Sequence, residues 1–179
     1  MDNIILLDCE TTGFSDPRMI QLAYKTGKYT FESLYNPTKE IDEGAIEVHG
    51  ITDEMVKDKE EFPLSVDQSI LQLLLNKHIL VAHNIKFDLN ILGIEGVQAP
   101  KSICTYQCCL HILKRANTKG NNKLQNLKEE FKLEIPEGAK AHDAMGDVIV
   151  LEQLFHYILD QMKDMSMEEK IQQMIEVSR

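Results

Sequence analysis

The sequence predicts an α/β fold in which helices flank a mixed sheet of five strands. Strand-like segments near residues 4–8, 18–26 and 29–35 follow one another with short connections. Two later strand-like segments, near 79–83 and 101–104, alternate with helical patterns. Early strands in succession, followed by strands that alternate with helices, favour a mixed sheet that is covered on its faces.

The helices are predicted from their apolar spacing and their capping residues. Ser65 and Gln68 form a candidate capping box for a helix that extends to about Asn76. Four apolar residues of this helix are expected to face the core: Val66, Ile70, Leu73 and Leu74. The other helices are predicted near residues 43–48, 86–92, 105–115, 123–131 and 141–162.

The end of the chain is predicted to form one more short helix. Ser166 and Glu169 have the spacing of a capping box. The apolar positions that follow form a narrow stripe, made of Met167, Ile171, Met174 and Ile175. Such a narrow stripe more often covers the parent domain than a partner. We therefore divide the chain into a main domain, residues 1–164, and a C-terminal helical tail, residues 165–179.

Two acidic residues stand two positions apart at the end of the first apolar run. Side chains on a strand alternate between faces, so Asp8 and Glu10 point the same way while Cys9 points into the opposite layer. Open α/β sheets commonly bind ligands at this end of a strand. Two carboxylates this close repel each other, and a divalent cation relieves that repulsion. Ordinary solvated acids at an exposed strand end are the alternative.

Two further segments combine acids with histidine. The first runs from His83 to Asp88 after an apolar run, and the second runs from His142 to Asp147 at the start of a long amphipathic stretch. Each is weak by itself, because an acid in the first turn of a helix commonly serves the helix dipole. If residues 142–147 were all helical, Asp143 and not His142 would share a face with Asp147.

Together, in this order and at these spacings, the three segments resemble the three motifs of the DEDDh branch of the DnaQ-like 3′–5′ exonucleases. The resemblance covers residues 4 to 160 and implies a ribonuclease H-like fold. It implies that four carboxylates bind two divalent cations, Mg²⁺ or Mn²⁺: Asp8, Glu10, Asp88 and Asp147. It also places His142 on the loop before the helix as the general base, and Asp143 then becomes a favourable acid at the helix N-terminus.

The resemblance extends to residues that would hold the 3′-terminal nucleotide. The segment from Glu47 to Thr52 is similar to the one that these exonucleases use for this purpose, with His49 near the sugar or base. Thr11 and Thr12 would lie beside the same nucleotide. Phe87 would pack under the site or against a base, and a role in the core is an equal alternative. The chain lacks the proline that commonly stands upstream of His49.

Within the family, residues 51–59 and 103–105 look most like the exodeoxyribonuclease X group, a stand-alone DNA-processing branch. The resemblance therefore implies a 3′–5′ exodeoxyribonuclease that releases nucleoside 5′-monophosphates, acts on single-stranded DNA or 3′ ends, and serves DNA repair. A polymerase proofreading subunit and an RNA-trimming exoribonuclease are the alternatives, with polymerase or repair proteins as partners. Only 32 residues follow Asp147, so we expect a stand-alone enzyme. An inert nucleic-acid-binding scaffold is disfavoured because all five metal and base residues are present.

Composition adds a charge pattern and a cellular setting. The net charge is −10, but residues 101–140 carry eight Lys/Arg against four Asp/Glu. This basic segment suits either phosphate contacts or a solvated helix face; its cations include Lys114, Arg115, Lys119, Lys123 and Lys128. The four cysteines have no CxxC spacing, so buried, reduced thiols are expected and a zinc site is not. No apolar stretch is long enough for a membrane span, and we expect a cytoplasmic protein.

Overall fold

Five strands form one mixed sheet in the computed structural model of the protein, which describes residues 3–118, 120–134 and 143–179. The spatial order of the strands is β3-β2-β1-β4-β5. In chain order they are β1 (Ile4–Thr11), β2 (Met19–Thr26), β3 (Tyr29–Leu34), β4 (Ile79–Ala82) and β5 (Ser102–Cys104). Strand β1 pairs with β2 in antiparallel and with β4 in parallel, and β4 pairs with β5 in parallel. The predicted fold class is confirmed.

Helices cover the sheet and lie close to their predicted positions. They are α1 (Glu43–His49), α2 (Asp53–Val56), α3 (Val66–Leu75), α4 (Lys86–Ile94), α5 (Thr105–His111), α6 (Leu124–Phe131), α7 (Ala144–Gln161) and α8 (Met167–Val177). Helix α2 was not predicted, and α5 ends at His111 and not near residue 115. Among the described residues, no helix is both long and apolar enough to cross a bilayer.

The central strand β1 separates two hydrophobic cores. Ile4 and Leu6 belong to the core that contains the buried face of α7, whereas Ile5, Leu7 and Cys9 belong to the core under α3 and α4. The alternation of side chains along a strand therefore continues to its end, and Asp8 and Glu10 lie on the α7 side. Strand β1 extends to Thr11, beyond the predicted end at residue 8, because Glu10 still pairs with Gln21 of β2.

Three of the four residues predicted to form the inner face of α3 are exposed, whereas the fourth, Leu74, is half-buried and packs against the core under α3 and α4. Val66, Ile70 and Leu73 are 68%, 42% and 63% exposed, and the residues that α3 buries are Leu71 and Leu75. Both sets repeat at helical spacing, so periodicity alone does not choose between them. The capping box is also only half formed. Ser65 accepts a hydrogen bond from the backbone of Gln68, but the Gln68 side chain donates to the backbone oxygen of Glu95 instead.

The C-terminal helix α8 lies against the edge strand of the sheet. Its predicted capping box is complete, since Ser166 and Glu169 bond to each other's backbone. Met174 is fully buried in the α7-side core, and Ser178 Oγ accepts a 2.7 Å hydrogen bond from the backbone of Cys104 in β5. The expectation that the apolar stripe of this helix covers the chain's own surface is confirmed, although Met167 remains 49% exposed.

Deleting residues 165–179 should therefore lower stability more than it changes the rate of catalysis. The deletion exposes the core around Met174 and leaves the backbone of Cys104 without Ser178. A point substitution isolates the first effect: Met174→Ala should cost about 2–5 kcal/mol, the usual range for a buried methionine. The neighbouring exposed Gln173→Ala should stay within about 0.5 kcal/mol. Chemical unfolding measures both variants, and equal stabilities would contradict the packing role.

All four cysteines are buried and unpaired, as expected from their spacing. Three of them, Cys104, Cys108 and Cys109, lie in β5 and α5. Burial raises the pKa of Cys108 and of Cys109 to about 12, so both remain thiols at neutral pH. Among the described residues, the carboxylate group described below is the one set of side chains with metal-ligand geometry, and it contains no cysteine.

Candidate active site

Three carboxylates from two of the predicted segments meet at the end of β1. Asp8 and Glu10 come from the strand, and Asp147 comes from the first turn of α7. Each contributes a carboxylate oxygen that lies within 4.8 Å of the other two. Oxygen ligands of this kind select hard divalent cations such as Mg²⁺ and Mn²⁺. The donor set therefore fits a divalent metal.

Asp88, from the remaining predicted segment, His83 to Asp88, adjoins this group from the other side of β1. It lies in the first turn of α4 and is 2% exposed. The thiol of Cys9 donates to Asp88 Oδ1 at 3.5 Å, so the strand that carries Asp8 and Glu10 also contacts Asp88. The fold thus brings all three segments together, as the sequence predicts.

Burial and mutual repulsion make this group reluctant to ionise. Burial, then the charges of Asp88, Glu10 and Asp147, raise the pKa of Asp8 well above its usual range. Burial, Asp147 and Asp88 raise the pKa of Glu10 to about 8. Burial likewise raises the pKa of Asp88 to about 7. Burial and neighbouring negative charges thus disfavour the ionised forms of Asp8 and Glu10, and a bound cation would stabilise those forms.

Glu10→Gln should stabilise the metal-free protein at pH 8 and have less effect at pH 5. The pKa of Glu10 is raised in the folded state, so folding takes up a proton between the ordinary value of 4.5 and about 8. The stability linked to this carboxyl is therefore fully present below pH 4.5 and is lost as pH rises through about 8. Glutamine is uncharged at both pH values, so the Glu10→Gln variant does not lose this stability at pH 8. Thermal unfolding in EDTA at both pH values measures the effect, with the exposed Asp160→Asn as the matched control. Destabilisation by Glu10→Gln at pH 8 would contradict the repulsion.

The start of α7 shows how Asp147 is placed. Asp143 is the N-cap of this helix and accepts a hydrogen bond from the backbone of Gly146. Gln21 of β2 donates to Asp143 Oδ1 at 3.3 Å and accepts from the backbone of Ala144. Asp143 therefore is an acid at the helix N-terminus, as expected from the resemblance, and it is outside the metal-ligand group. His142 lies outside the described residues, and its role as base stays a prediction.

A cavity of about 280 Å³ opens directly beside the carboxylates. Glu10 belongs to both the cavity wall and the acidic group. The remaining lining residues are Thr11, Gly13, Phe14, Asp42, Gly44, Ala45, Val48, His49 and Phe87. Three of the four predicted substrate residues, Thr11, His49 and Phe87, therefore line one cavity next to the acids.

The predicted substrate residues differ in how they are held. His49 Nδ1 accepts a hydrogen bond from the backbone of Ile51 at 3.0 Å, so the proton of the neutral ring is on Nε2. Phe87 lines the cavity and also packs against the α3–α4 core, and its contact with a base stays a prediction. Thr12 is buried and is not part of the lining. Its hydroxyl accepts from the backbone of Arg18 and so closes the loop after β1.

Three residues of the site were not identified from the sequence. Phe14 is 93% exposed at the cavity wall, and its position directly after Gly13 in a loop was the available signal. The carboxylate of Asp42 lies against Gly13, where an added Cβ would come within 2.0 Å of Asp42 Oδ2. Gln125 of α6 donates to Asp147 Oδ1 at 2.6 Å. No sequence pattern indicates the last two, because both contacts join distant segments.

Part of the basic segment, residues 101–140, makes contacts within the protein. Arg115 makes two hydrogen bonds to Glu130, at 2.7 and 2.6 Å, and a third to Asn122 at 2.8 Å. Its guanidinium also lies 5.2 Å from the ring centre of Phe131. Arg115 therefore has a structural role, while Lys114 and Lys123 are exposed and Lys119 lies outside the described residues.

The sheet is mixed, acids cluster at the end of its central strand, and a cavity lies beside them. This is the arrangement of a metal-dependent nuclease of the ribonuclease H-like fold. The chain belongs to the RNase T exonuclease family, whose model matches residues 5–155. It carries an exonuclease domain of this family and is a hydrolase. Enzymes of this family use divalent metals.

Known proteins agree with this assignment. The chain is 24% identical over 189 residues to the DNA polymerase III subunit epsilon of Buchnera aphidicola subsp. Baizongia pistaciae, covering 94% of this chain and 76% of that protein. Its fold superposes on exonuclease X in complex with 5′ overhanging duplex DNA with a TM-score of 0.77 and 22% identity, covering 98% and 99% of the two chains. The nuclease domain of 3′hExo, a DEDDh family member bound to rAMP, gives a TM-score of 0.70 and 17% identity, with coverages of 92% and 95%.

Proposed function

We propose that the protein removes nucleotides from the 3′ end of single-stranded DNA and releases nucleoside 5′-monophosphates. The observation that carries this proposal is the sharing of Glu10 between the carboxylate group and the wall of the 280 Å³ cavity. A terminal nucleotide in that cavity has its phosphate next to the acids. We assign the chemistry to residues 1–164 and a supporting role to the tail, residues 165–179.

Four carboxylates would hold two divalent cations, Mg²⁺ or Mn²⁺. Asp8 is the central ligand, because its carboxylate interacts electrostatically with Asp88, Glu10 and Asp147. When bound, a pair of such cations supplies a nucleophile at neutral pH and stabilises charge on the attacking and leaving oxygens. Asp8, Glu10, Asp88 and Asp147 supply the negative charge that compensates the cations, and the ends of β1, α4 and α7 keep them in place.

The cavity residues orient the terminal nucleotide. Thr11 lies at the end of β1, and its hydroxyl contacts the backbone of Gly13, so the loop that carries it is ordered. His49 lines this cavity, and we assign it to the sugar or base of the nucleotide. The aromatic rings of Phe14 and Phe87 give a base surfaces on which to stack, a contact worth about 1–3 kcal/mol without sequence preference. Recognition of this kind predicts little dependence of the rate on the terminal base.

His142 is the proposed general base. The unperturbed pKa of histidine is about 6.5, so a neutral imidazole is available to accept a proton at pH 7. Asp143, the next residue in the sequence, caps α7 and accepts a hydrogen bond from Gln21. The proton that leaves the attacking water is transferred to this ring.

Two alternative substrates or settings have specific support. The polymerase III epsilon relative covers 94% of this chain, which favours a proofreading role with a polymerase partner. The 3′hExo neighbour was solved with a ribonucleotide, rAMP, which favours RNA. We rank DNA first because the exonuclease X structure, which contains duplex DNA, superposes with the higher TM-score of 0.77. That match covers 99% of the exonuclease X chain.

One experiment tests substrate, polarity and metal together. DNA and RNA oligonucleotides of the same sequence, labelled at the 5′ end, are incubated with the chain in Mg²⁺, Mn²⁺ or EDTA. We expect a ladder that shortens from the 3′ end of DNA with either metal and no cleavage in EDTA. A ladder on RNA alone would replace the proposed substrate. Cleavage only after a polymerase is added would establish the proofreading alternative.

A further inference from the structure

Helix α6 reaches the carboxylate group through one side chain, Gln125. Its Nε2 lies 2.6 Å from Asp147 Oδ1, and both side chains are half-buried. An ionised carboxylate only accepts hydrogen bonds, so the amide nitrogen donates to it. This contact fixes the rotation of the Asp147 carboxylate and therefore also the direction of Oδ2.

The helix that carries Gln125 is itself anchored by three residues that follow Gln125. Leu127 is fully buried in the core that contains α7. Asn126 donates to the backbone oxygen of Gly120 at 2.7 Å, which holds the first turn to the preceding loop. Further along, Phe131 stacks on Tyr157 of α7 with ring centres 4.3 Å apart. The backbone position from which Gln125 reaches Asp147 is therefore fixed by these contacts.

The loop before α6 is tied to the strand that leads to Asp88. The buried Asn122 donates to the backbone oxygen of Ala116, and its own backbone oxygen lies 2.7 Å from His83 Nε2. A carbonyl only accepts, so His83 carries its proton on Nε2, and burial lowers its pKa to about 4. His83 is thus a neutral donor at pH 7, and its hydrogen bond joins the end of β4 to the loop that precedes α6.

A neutral amide suits this position for an electrostatic reason. A lysine or arginine at the same place would supply positive charge to Asp147 and compete with a cation for it. Glutamine orients the carboxylate and leaves its charge for the metal. Partners of this kind commonly change metal affinity or activity by about 10- to 100-fold when they are removed.

We propose that Gln125 is a positioning residue that holds the Asp147 carboxylate in the orientation needed to bind a divalent cation. This inference rests on the proposed function, since it assigns Asp147 as a metal ligand. It predicts that the loss of Gln125 weakens metal binding while the fold is retained.

The test compares Gln125→Leu and Gln125→Met with the unmodified full chain. Leucine removes the donor with similar size, and methionine keeps the length of the side chain without a donor or a charge. Gln72→Leu is the matched control, because Gln72 is a half-buried glutamine whose amide bonds to Asn76 and Gln98 away from the site. Calorimetric titration with Mn²⁺ gives the affinity, and thermal unfolding in EDTA gives the metal-free stability. Single-turnover cleavage of the DNA oligonucleotide against Mg²⁺ concentration gives the functional readout.

We expect both Gln125 variants to raise the Kd for Mn²⁺, and the Mg²⁺ concentration for half-maximal cleavage, by about 10- to 100-fold. Their melting temperatures in EDTA should match the unmodified chain, and Gln72→Leu should match it in all three measurements. An unchanged Mn²⁺ Kd, with or without a lower melting temperature, would reduce Gln125 to a helix–helix contact and overturn the inference. If the unmodified chain neither binds Mn²⁺ nor cleaves DNA, the proposed function fails as well.

Discussion

Asp8→Ala is expected to abolish nuclease activity while the metal-free protein remains folded. Asp8 is the proposed central ligand, and the loss of several kcal/mol of charge stabilisation corresponds to a rate reduction of at least about 10³-fold. Stability should not fall in EDTA, because Asp8 is half-buried beside other acids, and desolvation and these like charges raise its pKa. Removing one of these charges relieves repulsion in the absence of metal.

Activity in Mg²⁺ and thermal unfolding in EDTA measure the two halves of this expectation. Asp8→Asn serves beside Asp8→Ala, since it keeps the size of the side chain and removes only the charge. The exposed Asp58→Ala is the control for a general loss of negative charge. Adding Mg²⁺ should raise the melting temperature of the unmodified chain and have little effect on either Asp8 variant. Turnover that survives in Asp8→Ala would exclude a central ligand at this position.

His142→Ala should lower the rate of the chemical step by about 10²- to 10⁴-fold, the usual contribution of a positioned general base. Asp143→Ala should change that rate far less. Asp143 caps α7 through the backbone of Gly146, and the loss of a cap costs about 1 kcal/mol of stability. The two substitutions should therefore have different effects: His142→Ala should lower the rate, and Asp143→Ala should lower the stability.

Single-turnover rates measured against pH distinguish the two roles. In the unmodified chain the rate should rise with pH as a histidine with a pKa near 6.5 loses its proton, and this rise should be absent in His142→Ala. Asp143→Ala should retain it. If Asp143→Ala were the more damaging substitution, the helical spacing between Asp143 and Asp147 would be the correct guide and the family pattern would not apply here.

A local rule predicted the pairing of Asp8 and Glu10, whereas the resemblance to the family supplied Asp88 and Asp147. Residues two apart on a strand share a face whatever the rest of the fold does, so Asp8 and Glu10 could be paired from the apolar run before them. For Asp143 the local rule was misleading, because helical spacing would place it on a face with Asp147; the resemblance to the family indicated instead the N-terminal acid that the structure shows. The order of the strand-like and helical segments was likewise enough to predict a mixed five-stranded sheet.

The tertiary structure alone decided which surfaces meet. Helix α3 has two stripes at helical spacing, and only its docking on the α4-side core shows that Leu71 and Leu75 are buried while Val66 and Leu73 are exposed. Gln125 reaches Asp147 across 22 residues of chain, and Asp42 lies on Gly13 across 29. Such contacts depend on how separately formed elements approach one another, which local periodicity and capping do not encode. The sequence therefore determined which acids share a face, and the packing of α6 and α7 against the sheet determined what holds them there.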